Sequence, residues 1–299
     1  MRGTRSSYND LMTTLVTGSK SQLSLEIKSI IGDDKNFVFC DKNYLDIASE
    51  DNVYDIFKKY SPETVINTAA YTNVDIAEKK FEKAELINSQ GPFLLSKYCS
   101  KFKSKLIHIS TDYVFDGKKN LPYLSQDVTN PINNYGLTKR NGEKNIINNF
   151  DNYIIIRTSW LYSIYKENFV IKIINLLKKQ DSINVVANEI GSPTWTRGLA
   201  NLIIKIISNN FINGIYHYSD DSFCSRYDLA KGIYKICLKY NYLENEKFIN
   251  PIYKTNSDVS RPLFSALNSK DTEKAFNYKI YNYKINLEKM IVEYFKFNA

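Results

Sequence analysis

The chain has 299 residues, 43% apolar and 24% charged, with a formal net charge of +8. That balance describes a soluble globular protein able to bury a sizeable core, as one large or two closely joined domains. It lacks an apolar run long enough to span a membrane, an h-region that would mark a signal peptide, and any arginine-rich tract or basic repeat that would argue for nucleic acid.

Residues 1–12 read as an unstructured extension, with Met12 as the natural start. Thr13 to Thr17 is a short apolar strand leading into Gly18. Gly18-Ser19-Lys20-Ser21-Gln22-Leu23-Ser24 then opens a helix that runs to about Ile31. This is where a dinucleotide-binding fold places a Gly-x-x-Gly-x-x-Gly turn against a pyrophosphate, at a helix N-terminus. Only the first glycine remains, so Gly18, Ser21, Gln22 and Leu23 are cofactor candidates on a weakened loop. A Ser at position 21 adds a Cβ that crowds a phosphate, or a hydroxyl that bonds it.

Asn36 to Cys40 is the second strand, and Asp41 at its end is placed to bond ribose hydroxyls or to be an ordinary loop acid. Lys42 beside it is suited to a 2′-phosphate, which leaves NAD against NADP undecided. A helix follows from Ala48 to Tyr60, and Asp46 is a candidate cap for it. Thr64 to Asn67 is the third strand. The small residues Ala69 and Ala70, with Tyr71 and Thr72, let a cofactor lie close to its carboxyl end. The stretch from Asp75 to Asn88 reads as one helix and Gly91 to Phe102 as another.

Lys105 to Ser110 is the fourth strand, ending in Thr111-Asp112-Tyr113. After a loop a helix opens at Tyr135, with Lys139 four residues on. Residues i and i+4 share a helix face, so this phenol and ammonium point into one site, where the cation lowers the phenol pKa. The same spacing recurs at Tyr54/Lys58, Tyr162/Lys166 and Tyr227/Lys231, which read as surface pairs. What singles out Tyr135 is its context, STDYVFDG upstream and NPINNYGLTK around it.

Tyr153 to Arg157 is the fifth strand, and the alternation to this point argues for a parallel sheet with right-handed crossovers. The fold class is therefore α/β: a Rossmann-like doubly wound sheet over residues 13–157, with a smaller substrate-binding portion over 158–299 interleaved with it. In that second portion Val185 to Thr194 reads as a strand and a loop. Helices are expected over Thr196 to Ile207, Ser225 to Tyr240 and Asn286 to Phe297. Cys40, Cys99, Cys224 and Cys237 have no C-x-x-C spacing and read as buried or incidental thiols of a reducing, cytoplasmic compartment. His108 and His217 lie inside strand-like runs and read as packed residues, against a His-based metal site.

The segments VINTAAYTNVDIAE, HISTDYVFDG, NNYGLTKRNGE, IIIRTSWLYS, VVANEIGSPTWTRGLA and SRPLFSAL together resemble the extended short-chain dehydrogenase/reductases. More closely they resemble the dTDP-4-dehydrorhamnose reductase family, from about Leu15 to the C-terminal region. The resemblance implies reduction of a nucleotide-sugar ketone by NADPH or NADH, for cell-surface polysaccharide. It makes Tyr135 the proton donor, Lys139 its partner on the nicotinamide ribose and Thr111 the residue that holds the carbonyl. It gives Asp46-Ile47 to the adenine, and Asp112, Tyr113, Trp160, Asn168 and Arg261 to the substrate. A core Trp160 and a surface Arg261 remain the plainer alternatives. Glu189 stands where the family commonly has Gln. The resemblance leaves magnesium open, with Glu26 near the matching position, and a homodimer open too. Rival readings are another nucleotide-sugar reductase, epimerase or dehydratase, or a silent regulatory subunit with a degraded loop.

Overall fold

The structure, a computed structural model, describes residues 13–209, 211–243, 246–253 and 258–298. The extension expected over residues 1–12 lies outside them. In chain order the first half contains β1 (Thr14–Thr17), α1 (Gln22–Ile31), β2 (Phe37–Cys40), α2 (Glu50–Tyr60) and β3 (Thr64–Asn67). There follow α3 (Val74–Lys79), α4 (Phe81–Glu85), a π turn at Leu86–Gln90, α5 (Gly91–Phe102), β4 (Lys105–Thr111), a 3-10 turn at Asp112–Val114, α6 (Asn134–Asn149) and β5 (Tyr153–Thr158). The second half contains β6 (Leu161–Tyr162), α7 (Phe169–Lys179), β7 (Ser182–Val186), β8 (Ile190–Gly191), β9 (Thr194–Trp195), α8 (Thr196–Ser208) and β10 (Gly214–His217). It closes with β11 (Cys224–Ser225), α9 (Arg226–Lys239), β12 (Phe248–Ile252), α10 (Lys270–Phe276) and α11 (Tyr283–Phe297).

Six strands form one sheet in the order β10-β5-β4-β3-β1-β2, every pair parallel. Strands buried on both faces read as continuous apolar runs, and β1 and β3 are buried at every residue. Successive side chains alternate between the faces. Leu15 joins a core with Val53, Leu94 and Ile146 from α2, α5 and α6. Val16 joins the opposite core with Leu23, Ile27, Leu199 and Ile203 from α1 and α8. A third core, of Val170, Ile174, Leu229, Ile233, Leu287 and Met290, holds α7, α9 and α11 together. The chain turns one way from β1 to β2 and the other way from β3 onward. Such a switch point opens a crevice at the carboxyl ends of the strands, where ligands bind.

Several expectations need correction. The single helix read over 75–88 is broken at Lys80, which leaves helical backbone at φ −128°, ψ 53°. The π turn then re-aims Asn88 inward. α2 begins at Glu50 because Ser49 caps it, while the Asp46 carboxylate accepts from Ala48 N at 3.1 Å. Ser182–Val186 is a strand because Phe248–Ile252 pairs with it in parallel, a partner hidden in the sequence by Asn250 and Pro251. α11 starts earlier than expected, at Tyr283, where Asn282 caps it. The four cysteines are free and buried, and both histidines are buried in strands. Among the described residues no helix is long and apolar enough to cross a membrane.

Candidate active site

At the carboxyl edge of the sheet two clefts adjoin, sharing Ser21, Thr68, Ala70, Thr72 and Lys166. The first, about 390 Å³, is bordered by Gly18, Asp41, Asp46, Ile47, Ala69 and Ala70. It is built by a close approach of β1 and β3. Gly18 has φ +64°, and a Cβ there would lie 2.8 Å from Ala69 N. Only glycine fits that turn without strain. The two serines that replace the later glycines are absorbed locally. Ser21 caps α1, its Oγ accepting from Ser24 N at 3.1 Å. Thr68 Oγ1 donates to Thr17 O at 2.7 Å, so it receives the hydroxyls of Ser21 at 2.8 Å and Ser24 at 2.9 Å. Thr68, next to the alanines singled out in the sequence, was missed. Asp41 is ion-paired with Lys20 at 2.7 Å, and that lysine holds its carboxyl below the usual range.

The second cleft, about 470 Å³, brings together Thr111, Tyr135 and Lys139. Gln22, Leu23, Asp112, Tyr113 and Trp160 also border it. α6 can bring Tyr135 this close to β4 because it starts cleanly and lies flat on the 3-10 turn. Asn133 caps it by accepting from Gly136 N at 2.8 Å. A Cβ on Gly136 would lie 2.0 Å from Tyr113 O. Thr111 Oγ1 donates to Asp112 Oδ1 at 3.0 Å and accepts from Tyr113 N at 3.2 Å, and it borders the cleft together with Tyr135. The Tyr113 and Tyr135 rings meet edge to face with centroids 5.6 Å apart.

Burial raises the Tyr135 pKa well above that of a free phenol, and Thr111 opposes it only in part. This corrects the expectation that Lys139 lowers it. Lys139 turns instead to Ile109 O at 2.7 Å and to the His108 ring at 3.3 Å. Burial pushes Lys139 itself down to about 8, against the pull of Glu143. Glu143 is the buried partner of Arg157, at 2.7 Å, and also accepts the Ser110 hydroxyl. Asp112 is pushed up to about 6 by burial, and its carboxylate takes the Ser265 hydroxyl at 2.6 Å.

Not every sequence candidate reaches the clefts. Tyr71 is held through its backbone by the Asn88 amide, which also reaches Thr138. Asn168 caps α7, accepting from Val170 N and Ile171 N, and donates to Gln22 Oε1 at 3.2 Å. Arg261, given to the substrate by the resemblance, donates from Nη2 to both carboxylate oxygens of Asp75 at 2.9 Å. Arg226 borders the second cleft with its guanidinium 3.6 Å from the Trp160 ring centroid and 3.9 Å from Glu189. No local pattern pointed to it.

Magnesium, left open by the sequence, finds no support at Glu26. Glu26 is buried, and Arg197 holds it at 2.9 Å while holding Glu293 at 2.6 Å. A guanidinium thus fills the space between the two acids. Among the described residues no cluster of three or more His, Cys, Asp or Glu is disposed to bind a metal.

Comparison with known proteins follows the same line. Residues 12–295 match the family model described as RmlD substrate binding domain. The chain is similar to a dTDP-4-dehydrorhamnose reductase of Aggregatibacter actinomycetemcomitans, 34% identical over 88% of this chain and 92% of that one. It is 36% identical to the spore coat polysaccharide biosynthesis protein SpsK of Bacillus subtilis, over 87% and 90% of the two chains. Among solved structures it resembles a dTDP-4-dehydrorhamnose reductase of Bacillus anthracis in complex with NADP. The TM-score is 0.88 at 31% identity, covering 94% of this chain and 99% of that one.

Proposed function

This chain belongs to the RmlD substrate binding domain family, and on that premise we propose that it is a nicotinamide-dependent reductase of a nucleotide sugar. The substrate is dTDP-4-dehydro-L-rhamnose, reduced at C4 to dTDP-L-rhamnose for polysaccharide precursor synthesis. The observation that carries the reading is the meeting of Thr111, Tyr135 and Lys139 in one cleft that adjoins the Gly18 turn.

The residues fit the cofactor. The Gly18–Ala69 approach leaves backbone where a side chain would block a dinucleotide, and the α1 N-terminus offers amides to a pyrophosphate. When bound, the reduced nicotinamide supplies the hydride. Thr111 holds the C4 carbonyl oxygen with its hydroxyl. Tyr135, kept protonated by burial, donates its proton to that oxygen as negative charge develops there. Lys139 binds the ribose hydroxyls and returns the proton to Tyr135. Trp160, stacked on Arg226, forms a wall for the sugar.

NADPH is the proposed cofactor over NADH. Lys20 neutralises Asp41, the acid that would repel a 2′-phosphate, and Lys42 borders the same cleft. The proposed assembly is a homodimer, which light scattering tests. The decisive assay is NADPH consumption by the purified protein given dTDP-4-dehydro-L-rhamnose, with Tyr135→Phe as control. Turnover that disappears in the mutant supports the reading. No turnover by folded protein, alongside a working control enzyme, redirects it to another nucleotide sugar or to a silent subunit, and a cofactor titration separates those two.

A further inference from the structure

We propose that His108 is a positioning residue for Lys139, its tautomer fixed by Asn67 so that a ring N–H faces the lysine nitrogen and biases it toward the free amine. Asn67 is buried at the carboxyl end of β3. Its Oδ1 accepts from Thr17 Oγ1 at 2.7 Å and from Ala69 N at 3.2 Å. Two donors fix that oxygen, so the amide nitrogen faces His108 Nδ1 at 2.9 Å. An amide NH₂ only donates. Nδ1 is therefore the bare nitrogen, and the neutral ring carries its proton on Nε2. Burial, then the nearby Lys139, keeps the ring neutral by holding its pKa well below the usual value.

Nε2 lies 3.3 Å from Lys139 Nζ. An ammonium has no lone pair to receive that N–H, whereas a free amine has one. The other partner, Ile109 O, accepts from either form. Burial already lowers Lys139, and His108 adds a ring N–H aimed at its nitrogen. On its own helix, Tyr135 one turn before is a protonated phenol, and Glu143 one turn after favours the ammonium. That carboxylate is already shared between Arg157 from β5 and Ser110 from β4. Asn88, from the π turn, is neutral and bonds Thr138. A continuous hydrogen-bonded chain thus runs from Ala69 in the turn after β3 through the buried Asn67 and His108 to the lysine.

The test uses the full chain. It holds two histidines, and the structure gives them opposite tautomers. His217 Nδ1 lies 3.0 Å from Tyr123 O, so that ring carries its proton on Nδ1. Nitrogen-15 NMR of histidine-labelled protein separates bare from protonated ring nitrogens, and His217→Gln assigns the pair. The expected result is a bare Nδ1 and protonated Nε2 on His108; the reverse overturns the proposal. Asn67→Asp places an acceptor against Nδ1, which moves the ring proton to Nδ1 and offers Nε2 to a lysine ammonium. The His108 signals then exchange, and the Lys139 inflection in the pH–rate profile rises by about one pH unit. His108→Phe, which removes the N–H without adding charge, moves the same inflection upward. An unmoved inflection in either folded variant overturns the link to Lys139. Only this kinetic arm rests on the reductase reading; the tautomer is read without substrate, so the two failures are distinguishable.

Discussion

Thr111 serves two groups with one hydroxyl, the Asp112 carboxylate and the Tyr113 amide, and borders the cleft beside Tyr135. Thr111→Val keeps the shape and removes both bonds, along with the hydroxyl that faces the cleft. Losing one such hydrogen-bonding group at a reacting oxygen costs about 10²-fold in kcat. The expected outcome is a fall of that order, with KM for NADPH unchanged and most activity retained in Thr111→Ser; wild-type kcat in the valine variant would sink the assignment. Tyr135 and Lys139 were legible in the sequence as a pair one helical turn apart, singled out by the motif around them, and Thr111 at the strand end was joined to them by the resemblance. His108, Asn67, Thr68, Asn88 and Arg226 were not, because their partners are distant along the chain. His108 meets Lys139 from 31 residues away, and Asn88 meets Thr138 from 50. Arg261 was placed by resemblance with the substrate, and its pairing with Asp75, distant along the chain, was not written in the sequence.

Among the elements, α6 carries the chemistry and depends on close backbone approach at one end. A methyl group on Gly136 would meet Tyr113 O at 2.0 Å, an atom of the turn that also orients Thr111. Backbone cannot yield as a flexible side chain can, so α6 must lift. Gly136→Ala is expected to destabilise the protein by about 2 kcal/mol, the range for overpacking. It is also expected to lower kcat more than the stability loss explains, because Tyr135 moves with the helix. Denaturant midpoints and activity at a temperature where the variant is folded check this; unchanged kcat would show that Tyr135 is positioned without the turn. The helices and central strands were readable because both periodicities are written locally. The π turn and β7 were not. One depends on what Asn88 must reach, and the other on pairing with Phe248–Ile252.

At the scale of the whole molecule, two buried acids join parts that the sequence separates. Asp220 accepts from Tyr162 OH at 2.8 Å and Trp195 N at 3.1 Å, and burial pushes it up to about 7. An acid with a raised folded pKa binds its proton more tightly when folded. Its favourable contribution is complete below about pH 4 and is lost as pH rises through about 7. Asp220→Asn keeps an acceptor for both donors and does not titrate. Its stability relative to wild type should therefore rise by a few kcal/mol between pH 4 and pH 8, and a pH-independent difference would refute this. Glu26 is also raised by burial, with Arg197 opposing. Arg197 on α8 binds it on α1 and Glu293 on α11, fastening three helices where a divalent ion would otherwise be needed to reconcile two carboxylates. Removing that cation leaves Glu26 buried without its charge partner, and breaking such a pair costs about 3 kcal/mol. Arg197→Gln should lower Tm by several degrees. In the wild type, EDTA or added magnesium should leave Tm where it was, because the guanidinium already supplies the positive charge. A wild-type Tm that falls on chelation would mean that a metal, rather than Arg197, balances these acids.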